Sequence, residues 1–340
     1  MTMIRLSAAL ILSGLVFGVG INELKADPLV IAHRGASGYL PEHSLAAAAA
    51  AHSMDSDYIE QDVVLTKDDQ AIVLHDIHLD AVTDVAKKYP DRARDDGRFY
   101  AIDFTLEEIK TLKLGERINV RTGQPVYPQR FPTIPKLLTI PTLEEEVLLI
   151  AGMNASRNKQ VGIYPEIKQP AWHRKQGKDI SRVVLQVLKK LGYQKSEDPI
   201  FLQCFDAGEL ERIRHELKCQ LPLVQLIGKD KVGSDDYAKM TTPKGLQKIA
   251  TYAQGIGPDL RLVISDFRDG QPQVTSLTQD AQRAGLVVHP YTFRADQMPS
   301  QVTDFATLVR TFAVDAGVDG MFTDHPDLTR QALESVSADR

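Results

Sequence analysis

Cysteine is scarce in this chain, which has two among its 340 residues, Cys204 and Cys219. Because no cysteine precedes Cys204, a lipid-modified N-terminal cysteine is excluded, and neither cysteine has the neighbours of a zinc site. The two thiols could pair in an oxidising compartment. Cys204 lies in the apolar run 200–205, however, where a buried free thiol is equally natural. The sequence therefore leaves a disulfide open.

Positive charge is also in short supply, with 40 Lys and Arg against 45 Asp and Glu and a formal net charge of -5. Such a chain has no basic field to attract a polyanion, so no nucleic-acid partner is predicted. The sequence contains no G-x-G-x-x-G or G-x-x-x-x-G-K motif, and so nothing favours a nucleotide-binding fold. Internal repeats and long runs of one charge are absent too.

Long hydrophobic runs are missing except at the N-terminus, where Arg5 precedes an apolar stretch over residues 6–21. A polar tail then leads to Ala26. This layout is typical of a cleaved signal peptide over residues 1–26, and the apolar stretch is shorter than the roughly 20 residues that span a bilayer as a helix. We expect an exported protein, periplasmic or secreted, without stable membrane insertion. An uncleaved anchor is the alternative.

The remaining chain alternates apolar strand patterns with helical ones. With 43% hydrophobic residues it can bury a large core, and the alternation predicts an α/β fold, a (β/α)8 TIM barrel of roughly eight parallel strands. Strand patterns cover residues 30–32, 58–66, 161–168, 200–205, 223–227, 260–265, 286–290 and 320–324. The long gap after the second strand predicts a barrel of residues 27–79 and 141–336, with a small inserted subdomain of residues 80–140.

Polar residues collect where the first strands end. The run 30–32 leads into His33 and Arg34, and the run 72–74 leads into His75 and Asp76. Between them, Glu60 and Asp62 share one face of a strand, because side chains two apart point the same way. In a TIM barrel the carboxyl ends of the strands carry the active site, so these residues predict an acid/base pair beside a cation site.

The pattern resembles the glycerophosphodiester phosphodiesterase family, whose hallmarks are H-R-G after the first barrel strand, E-x-D on the second and a following H-D. Here they stand as His33-Arg34-Gly35, Glu60-Gln61-Asp62 and His75-Asp76. The resemblance covers essentially everything after the leader. It is specific because all the polar residues of the three motifs must fall at matching places.

A third carboxylate, Glu166, shares a strand face with Lys168. Three carboxylates without a thiolate suit a hard divalent cation, calcium or magnesium, better than zinc. The resemblance implies the same, since the family holds its metal with the E-x-D pair and the glutamate of P-E-x-K, here Glu60, Asp62 and Glu166. A salt-bridge cluster with Arg34 and Lys168 is the structural alternative.

Five residues are predicted to contact substrate. Arg34 has the fork that binds a phosphate bidentately, and Lys168 adds charge. The family resemblance places Gln203, Phe205 and Tyr291 in the pocket wall. Trp172 is a further candidate for the pocket mouth, whereas His43 is interpreted as structural; His289 is open between the site and the core, and Asp324 and His325 between a loop cap and function.

The resemblance implies metal-dependent hydrolysis of deacylated phospholipids, such as glycerophosphocholine or glycerophosphoethanolamine, to sn-glycerol 3-phosphate and an alcohol. His33 and His75 would act as acid and base near neutral pH. The alternatives are a phospholipase D of the sphingomyelinase type and a non-catalytic exported protein that binds phosphate ligands. The sequence leaves the headgroup, the native cation and the choice between monomer and homodimer open.

Overall fold

The structure is a computed structural model that describes residues 27–131, 137–229, 235–268 and 271–338. The predicted signal peptide, residues 1–26, lies outside the described residues. Among those described, no helix is both long and apolar enough to span a membrane.

Eleven strands are present in the described residues, and most are short and apolar. They are β1 (Leu29–Ala32), β2 (Tyr58–Leu65), β3 (Ala71–Val73), β4 (Gly162–Ile167), β5 (Leu202–Cys204), β6 (Leu223–Ile227), β7 (Gly255–Pro258), β8 (Ile264–Arg268), β9 (Gln271–Val274), β10 (Val287–Val288) and β11 (Gly320–Thr323). Strands that are buried on both faces read as continuous apolar runs, which is why so many were recognisable.

Eight of these strands form one parallel sheet in the order β10-β7-β6-β5-β4-β2-β1-β11. The two end strands of this sheet, β10 and β11, approach each other. The amide of Asp319 donates to the carbonyl of Val288 at 2.9 Å, and that of Phe322 donates to the carbonyl of Pro290 at 3.0 Å. The sheet is therefore a nearly closed barrel, and the predicted TIM-barrel fold is confirmed. Strand β3 pairs antiparallel with β2, and β8 with β9 forms a separate hairpin.

Thirteen helices of the described residues accompany the strands. They are α1 (Leu45–Ser53), α2 (Val85–Lys88), α3 (Leu106–Lys110), α4 (Leu143–Arg157), α5 (Pro170–Lys175), α6 (Ile180–Lys190), α7 (Ala207–His215), α8 (Tyr237–Met240), α9 (Pro243–Ile249), α10 (Leu260–Val263), α11 (Leu277–Arg283), α12 (Phe305–Arg310) and α13 (Pro326–Ala338). A five-residue π-helix, Thr311–Asp315, continues α12. The main hydrophobic core lies between these helices and the barrel strands.

The segment between β3 and α4 has an apolar cluster of its own. Phe99, Phe104 and Leu112 pack there against Val64 and Ile72 of the β2–β3 hairpin. A capping box starts α3 at Thr105 and another starts α4 at Thr142. The division of the chain into a barrel and a subdomain of residues 80–140 stays a prediction.

One predicted strand is wrong. Residues 260–265 were expected to form a barrel strand, but they form the short helix α10 and the start of β8. The barrel strand is β7, whose glycines gave no strand signal. A Cβ atom on Gly255 would lie 2.6 Å from the Val287 side chain, and one on Gly257 would lie 2.6 Å from the Leu226 side chain. Glycine stands here because neighbouring strands leave no room for a side chain.

The two cysteines do not form the disulfide that the sequence left open. Cys204 and Cys219 are both buried free thiols. The Cys204 thiol lies 3.3 Å from the carbonyl of Ile167.

Candidate active site

A cavity of 630 Å³ opens at the carboxyl ends of the barrel strands. All ten residues predicted for the site line it: His33, Arg34, Glu60, Asp62, His75, Glu166, Lys168, Gln203, Phe205 and Tyr291. Its size lies within the usual range for small-molecule pockets, about 300 to 1,000 Å³. The structure therefore brings the predicted residues together, while the role of each stays a prediction.

His33 directly follows β1 and is fixed by a carboxylate from the other end of the chain. Its Nδ1 lies 2.6 Å from Asp324 Oδ1, at the end of β11. Although burial alone would raise the pKa of Asp324, the hydrogen bond from His33 and the charges of Arg294 and Arg130 lower it far below its ordinary value. An ionised carboxylate can only accept, so Nδ1 of His33 carries the proton and donates it. Nε2 is then the nitrogen without a proton in the neutral ring.

The turn after His33 is tight. Arg34 and Gly35 both have positive φ angles, of 61° and 76°. A Cβ on Gly35 would lie 2.7 Å from the backbone carbon of Ala47 in α1, so only glycine fits. The strained Arg34 backbone directs its amide to Glu60 Oε2 at 2.7 Å, which links the β1 turn to the carboxylates on β2.

His75 has the same type of partner in a different place. Its Nδ1 lies 2.8 Å from Oδ1 of the next residue, Asp76. The other oxygen of Asp76 accepts from Arg117 at 2.6 Å. The net effect of these contacts is a pKa of Asp76 far below its ordinary value, although burial opposes it. Nδ1 of His75 is therefore also the donor.

Both imidazoles are neutral in the protein by itself. Burial first, and then the charge of Arg34, lowers the pKa of His33 to about 4. The same two causes, with Lys168 in addition, lower the pKa of His75 to about 3. An anionic ligand beside Arg34 would offset the positive charge that disfavours protonation.

The carboxylates come from neighbouring strands in one row. Asp62 on β2 is the register partner of Glu166 on β4, which in turn is the partner of Gln203 on β5. Lys168 Nζ bonds Glu166 Oε1 at 2.8 Å. Asp62 Oδ1 is buried without a hydrogen-bond partner among the described residues, although Lys168 Nζ lies 3.2 Å away.

Three carboxyl groups in this space cannot all ionise easily. Burial and the charge of Asp62 raise the pKa of Glu60 well above its ordinary value, and burial raises that of Glu166 as well. Asp62 differs, because the charge of Lys168 and the hydrogen bond of His43 outweigh the effect of burial and hold its pKa well below the ordinary value. Additional positive charge is needed for all three to be ionised.

A divalent cation fits this shortage of positive charge. His43, Glu60 and Asp62 offer ligand atoms that all lie within 4.8 Å of one another. His43 Nε2 lies 2.8 Å from Asp62 Oδ2, and its Nδ1 is buried without a partner in the described structure. Glu166 does not belong to this group of three. His43, interpreted as structural from the sequence, is thus a candidate ligand, and Glu166 as the third ligand stays a prediction.

Known proteins resemble this chain over most of its length. The model of the glycerophosphoryl diester phosphodiesterase family matches residues 33–328. The chain belongs to this family. A glycerophosphodiester phosphodiesterase from Haemophilus influenzae is 42% identical over 93% of this chain and 92% of its own length, and one from Treponema pallidum is 38% identical over 93% and 94%. The resemblance inferred from H-R-G, E-x-D and H-D is therefore confirmed.

Solved structures share the fold. A Silicibacter pomeroyi protein assigned as a glycerophosphoryl diester phosphodiesterase superposes with a TM-score of 0.70 at 24% identity, over 92% of this chain and 95% of its own. An Oleispira antarctica phosphodiesterase, solved with the product sn-glycerol-3-phosphate, gives a TM-score of 0.60 at 21% identity, over 91% and 97%. Both support the family's TIM barrel for this chain.

Two of the undecided residues lie away from the cavity lining. His289 is buried inside the barrel, where its Nδ1 lies 3.0 Å from the hydroxyl of Tyr164. Trp172 stacks on Tyr100 in the second apolar cluster, with ring centroids 5.6 Å apart. Asp324 does not line the cavity either, but its carboxylate contacts Nδ1 of His33, which does.

Sequence reasoning missed Glu42, Arg117 and Arg130. Glu42 accepts from Arg34 at 3.0 Å and from both Nε and Nη2 of Arg117, at 3.0 and 2.6 Å. Arg130 donates to Asp324 Oδ2 at 2.7 Å. Both arginines come from the segment between β3 and α4, where no motif marks them. Pro41-Glu42-His43, next to the H-R-G turn, was the only local signal for Glu42.

Proposed function

We propose that this chain hydrolyses glycerophosphodiesters to sn-glycerol 3-phosphate and an alcohol, with a divalent cation, calcium or magnesium, as cofactor. Glycerophosphocholine and glycerophosphoethanolamine are the proposed substrates. Two supports are the membership in the phosphodiesterase family and the activity for which relatives up to 42% identical are named. The observation that carries the proposal is the pair of neutral histidines, each held at Nδ1 by an ionised aspartate, in one cavity with Arg34 and Lys168.

The charges of the cavity suit a phosphodiester. Arg34 and Lys168 attract its anionic oxygens, and Arg34 Nε is buried without a hydrogen-bond partner in the described structure. A cation held by Glu60 and Asp62, with Glu166 as the predicted third ligand, would add charge stabilisation at the phosphate. The same cation would allow Glu60 and Glu166 to ionise.

The two histidines divide the proton transfers. One accepts a proton at Nε2 from the attacking hydroxyl, and the other donates a proton to the departing alcohol. Attack by a water gives glycerol 3-phosphate directly. Attack by the glycerol 2-hydroxyl gives a cyclic phosphate, which a water then opens with the two proton roles reversed. The donor must be protonated first, and the negative charge of the bound phosphate beside Arg34 favours that protonation. Acid/base transfer of this kind accelerates a reaction roughly 100- to 10,000-fold.

The rest of the cavity receives the alcohol group. Phe205 and Tyr291 meet edge to face there, with ring centroids 5.9 Å apart. Asp259, Arg261 and Met298 line the cavity as well. This wall is mixed in charge and large enough for a headgroup beside glycerol phosphate. We further propose export of the mature protein to the periplasm or medium, on the basis of the leader pattern in residues 1–26.

The test measures glycerol 3-phosphate released from glycerophosphocholine and glycerophosphoethanolamine by the purified chain, with chelator and then with calcium or magnesium restored. We expect release that stops with chelator and returns with one of the two cations. Sphingomyelin serves as the competing substrate for the phospholipase D alternative. Absence of release from every glycerophosphodiester under all cation conditions would overturn the proposal.

A further inference from the structure

We infer that Arg117 and Arg130 are positioning residues that hold the carboxylates of the two active-site histidines, so that the segment between β3 and α4 completes the site. This inference rests on the proposed function in one respect, since it takes the two histidines as the proton-transfer groups. It goes further, because it assigns a role in the reaction to the segment between β3 and α4.

The contacts on the two sides match. Arg117 Nη1 donates to Asp76 Oδ2 at 2.6 Å while Asp76 Oδ1 meets His75. Arg130 Nη2 donates to Asp324 Oδ2 at 2.7 Å while Asp324 Oδ1 meets His33. On each side an arginine and a histidine share one carboxylate, with one oxygen for each.

Second contacts fix each arginine in place. Arg117 also forms a two-point contact with Glu42, and Glu42 accepts from Arg34. Arg130 forms a two-point contact with Asp296 at 2.7 and 2.9 Å and donates to the carbonyl of Ser37 at 3.2 Å. Charge-assisted bonds to a planar guanidinium set direction as well as distance, so each aspartate has little freedom to turn.

The chemical consequence concerns the histidine tautomer. An aspartate that stays ionised and in place keeps the proton on Nδ1 and aims Nε2 into the cavity. Without Arg117, Asp76 in its partly desolvated position can rotate away or pick up a proton, and without Arg130, Asp324 keeps only Arg294. The imidazole can then adopt the other tautomer. Partners that orient a working histidine from behind are commonly worth 10- to 100-fold in activity, as roughly estimated for metal-site histidines.

Neither arginine lines the cavity within the described residues. An effect on the histidines is therefore expected in the turnover number rather than in substrate binding. This separates a positioning role from direct phosphate binding, for which Arg34 is placed.

The experiment compares Arg117→Gln, Arg117→Lys and Arg130→Lys with Arg98→Gln. Arg98 is a matched control, because it lies in the same segment and forms a two-point contact with an aspartate, Asp80, at 2.6 and 2.9 Å, without touching His33 or His75. We expect kcat on glycerophosphocholine to fall about 10- to 100-fold in Arg117→Gln with KM within twofold. Arg117→Lys should recover part of the lost kcat, and Arg98→Gln should have the kcat and KM of the parent protein.

A second readout does not depend on turnover. ¹⁵N NMR of histidine-labelled protein reports which ring nitrogen carries the proton, with His33→Gln and His75→Gln used to assign the two signals. We expect the Nδ1–H tautomer of His75 in the parent protein and its loss in Arg117→Gln, with the signal of His33 unchanged. Arg130→Lys should alter His33 alone.

The outcomes separate the two claims. If the parent protein hydrolyses no glycerophosphodiester but the tautomer signals change as expected, the proposed function fails and the positioning inference stands. If the signals and kcat of Arg117→Gln and Arg130→Lys equal those of the parent, the inference is overturned. A rise in KM with unchanged kcat would also overturn it, because the arginines would then bind substrate directly.

Discussion

Each of the two active-site histidines contacts an aspartate that accepts from an arginine, but the two groups differ in burial. On one side the side chains of His33, Asp324 and Arg130 are 12%, 2% and 4% exposed. On the other side those of His75, Asp76 and Arg117 are 31%, 28% and 15% exposed. Asp324 accepts from two arginines, Arg130 and Arg294, whereas Asp76 accepts from one.

This difference in burial should make the two sides contribute unequally to the stability of the fold. In a buried position an unpaired charge is strongly destabilising, because no water replaces the lost partner. Nearer the surface, water screens the loss. We therefore expect both sides to matter for turnover, but the His33 side to matter far more for folding.

The largest effect should come from the histidines themselves. His33→Gln and His75→Gln each remove a proton-transfer group and should lower kcat/KM for glycerophosphocholine about 100- to 10,000-fold. Unfolding midpoints measured beside the kinetics check that the variants are folded. Parent-level turnover in either variant would reject its acid/base role.

The two aspartates should separate in stability. Asp324→Asn leaves Arg130 and Arg294 without their shared countercharge, and should lower the free energy of unfolding by about 3 kcal/mol or more. Asp76→Asn should lower it by about 1 kcal/mol or less, since that site is partly hydrated. Urea titration of both variants measures the two free energies of unfolding. Equal losses would contradict the burial argument.

The carboxylates between the histidines come next. Glu60→Gln removes one charge from the candidate cation site and should weaken calcium or magnesium binding about tenfold or more. Isothermal titration of the variant measures the change. Glu144→Gln is the control, because Glu144 pairs with Lys190 at the surface. Unchanged affinity in Glu60→Gln would place the cation elsewhere.

The effect farthest from the histidines concerns a buried carboxyl group that has no arginine partner among the described residues. Glu146 in α4 bonds Gln61 at 3.1 Å, and burial raises its pKa to about 8. The folded protein thus binds a proton there that the unfolded chain releases near pH 4.5, so this contribution to stability declines as pH rises from about 4.5 through 8. Asp324, with a lowered pKa, has the opposite sign and loses its contribution as pH falls.

Glu146→Gln should remove that decline and leave a flatter dependence of unfolding free energy on pH between about 5 and 8. The measurement is a series of urea titrations across this range. A slope identical to that of the parent protein would show that Glu146 ionises normally when folded.

Much of the site could be predicted because local patterns encode it. Glu60 and Asp62 share a face through the strand period, and His33 and His75 follow apolar runs directly. Asp76 was visible as the neighbour of His75. Asp324 was left open between a loop cap and function, because 291 residues separate it from His33 and only barrel closure brings them together. Arg117 and Arg130 were missed, because they lie in a segment without a motif.

The fold was predictable for a similar reason, and the prediction failed at one strand. Strands rich in Val, Ile and Leu, such as β1 and β6, stand out in the sequence. The strand β7, Gly-Ile-Gly-Pro, does not, because its glycines answer to the closeness of Val287 and Leu226 rather than to strand propensity. The apolar run at 260–265 was therefore taken for the strand.

The most direct test of the divided roles of His33 and His75 uses a substrate whose leaving group needs no proton. Hydrolysis of the p-nitrophenyl ester of glycerol 3-phosphate is measured with the parent, His33→Gln and His75→Gln. We expect one variant to recover to within about tenfold of the parent, because its missing group was the acid, while the other stays slow. Recovery of both variants, or of neither, would contradict a site in which one histidine is the acid and the other the base.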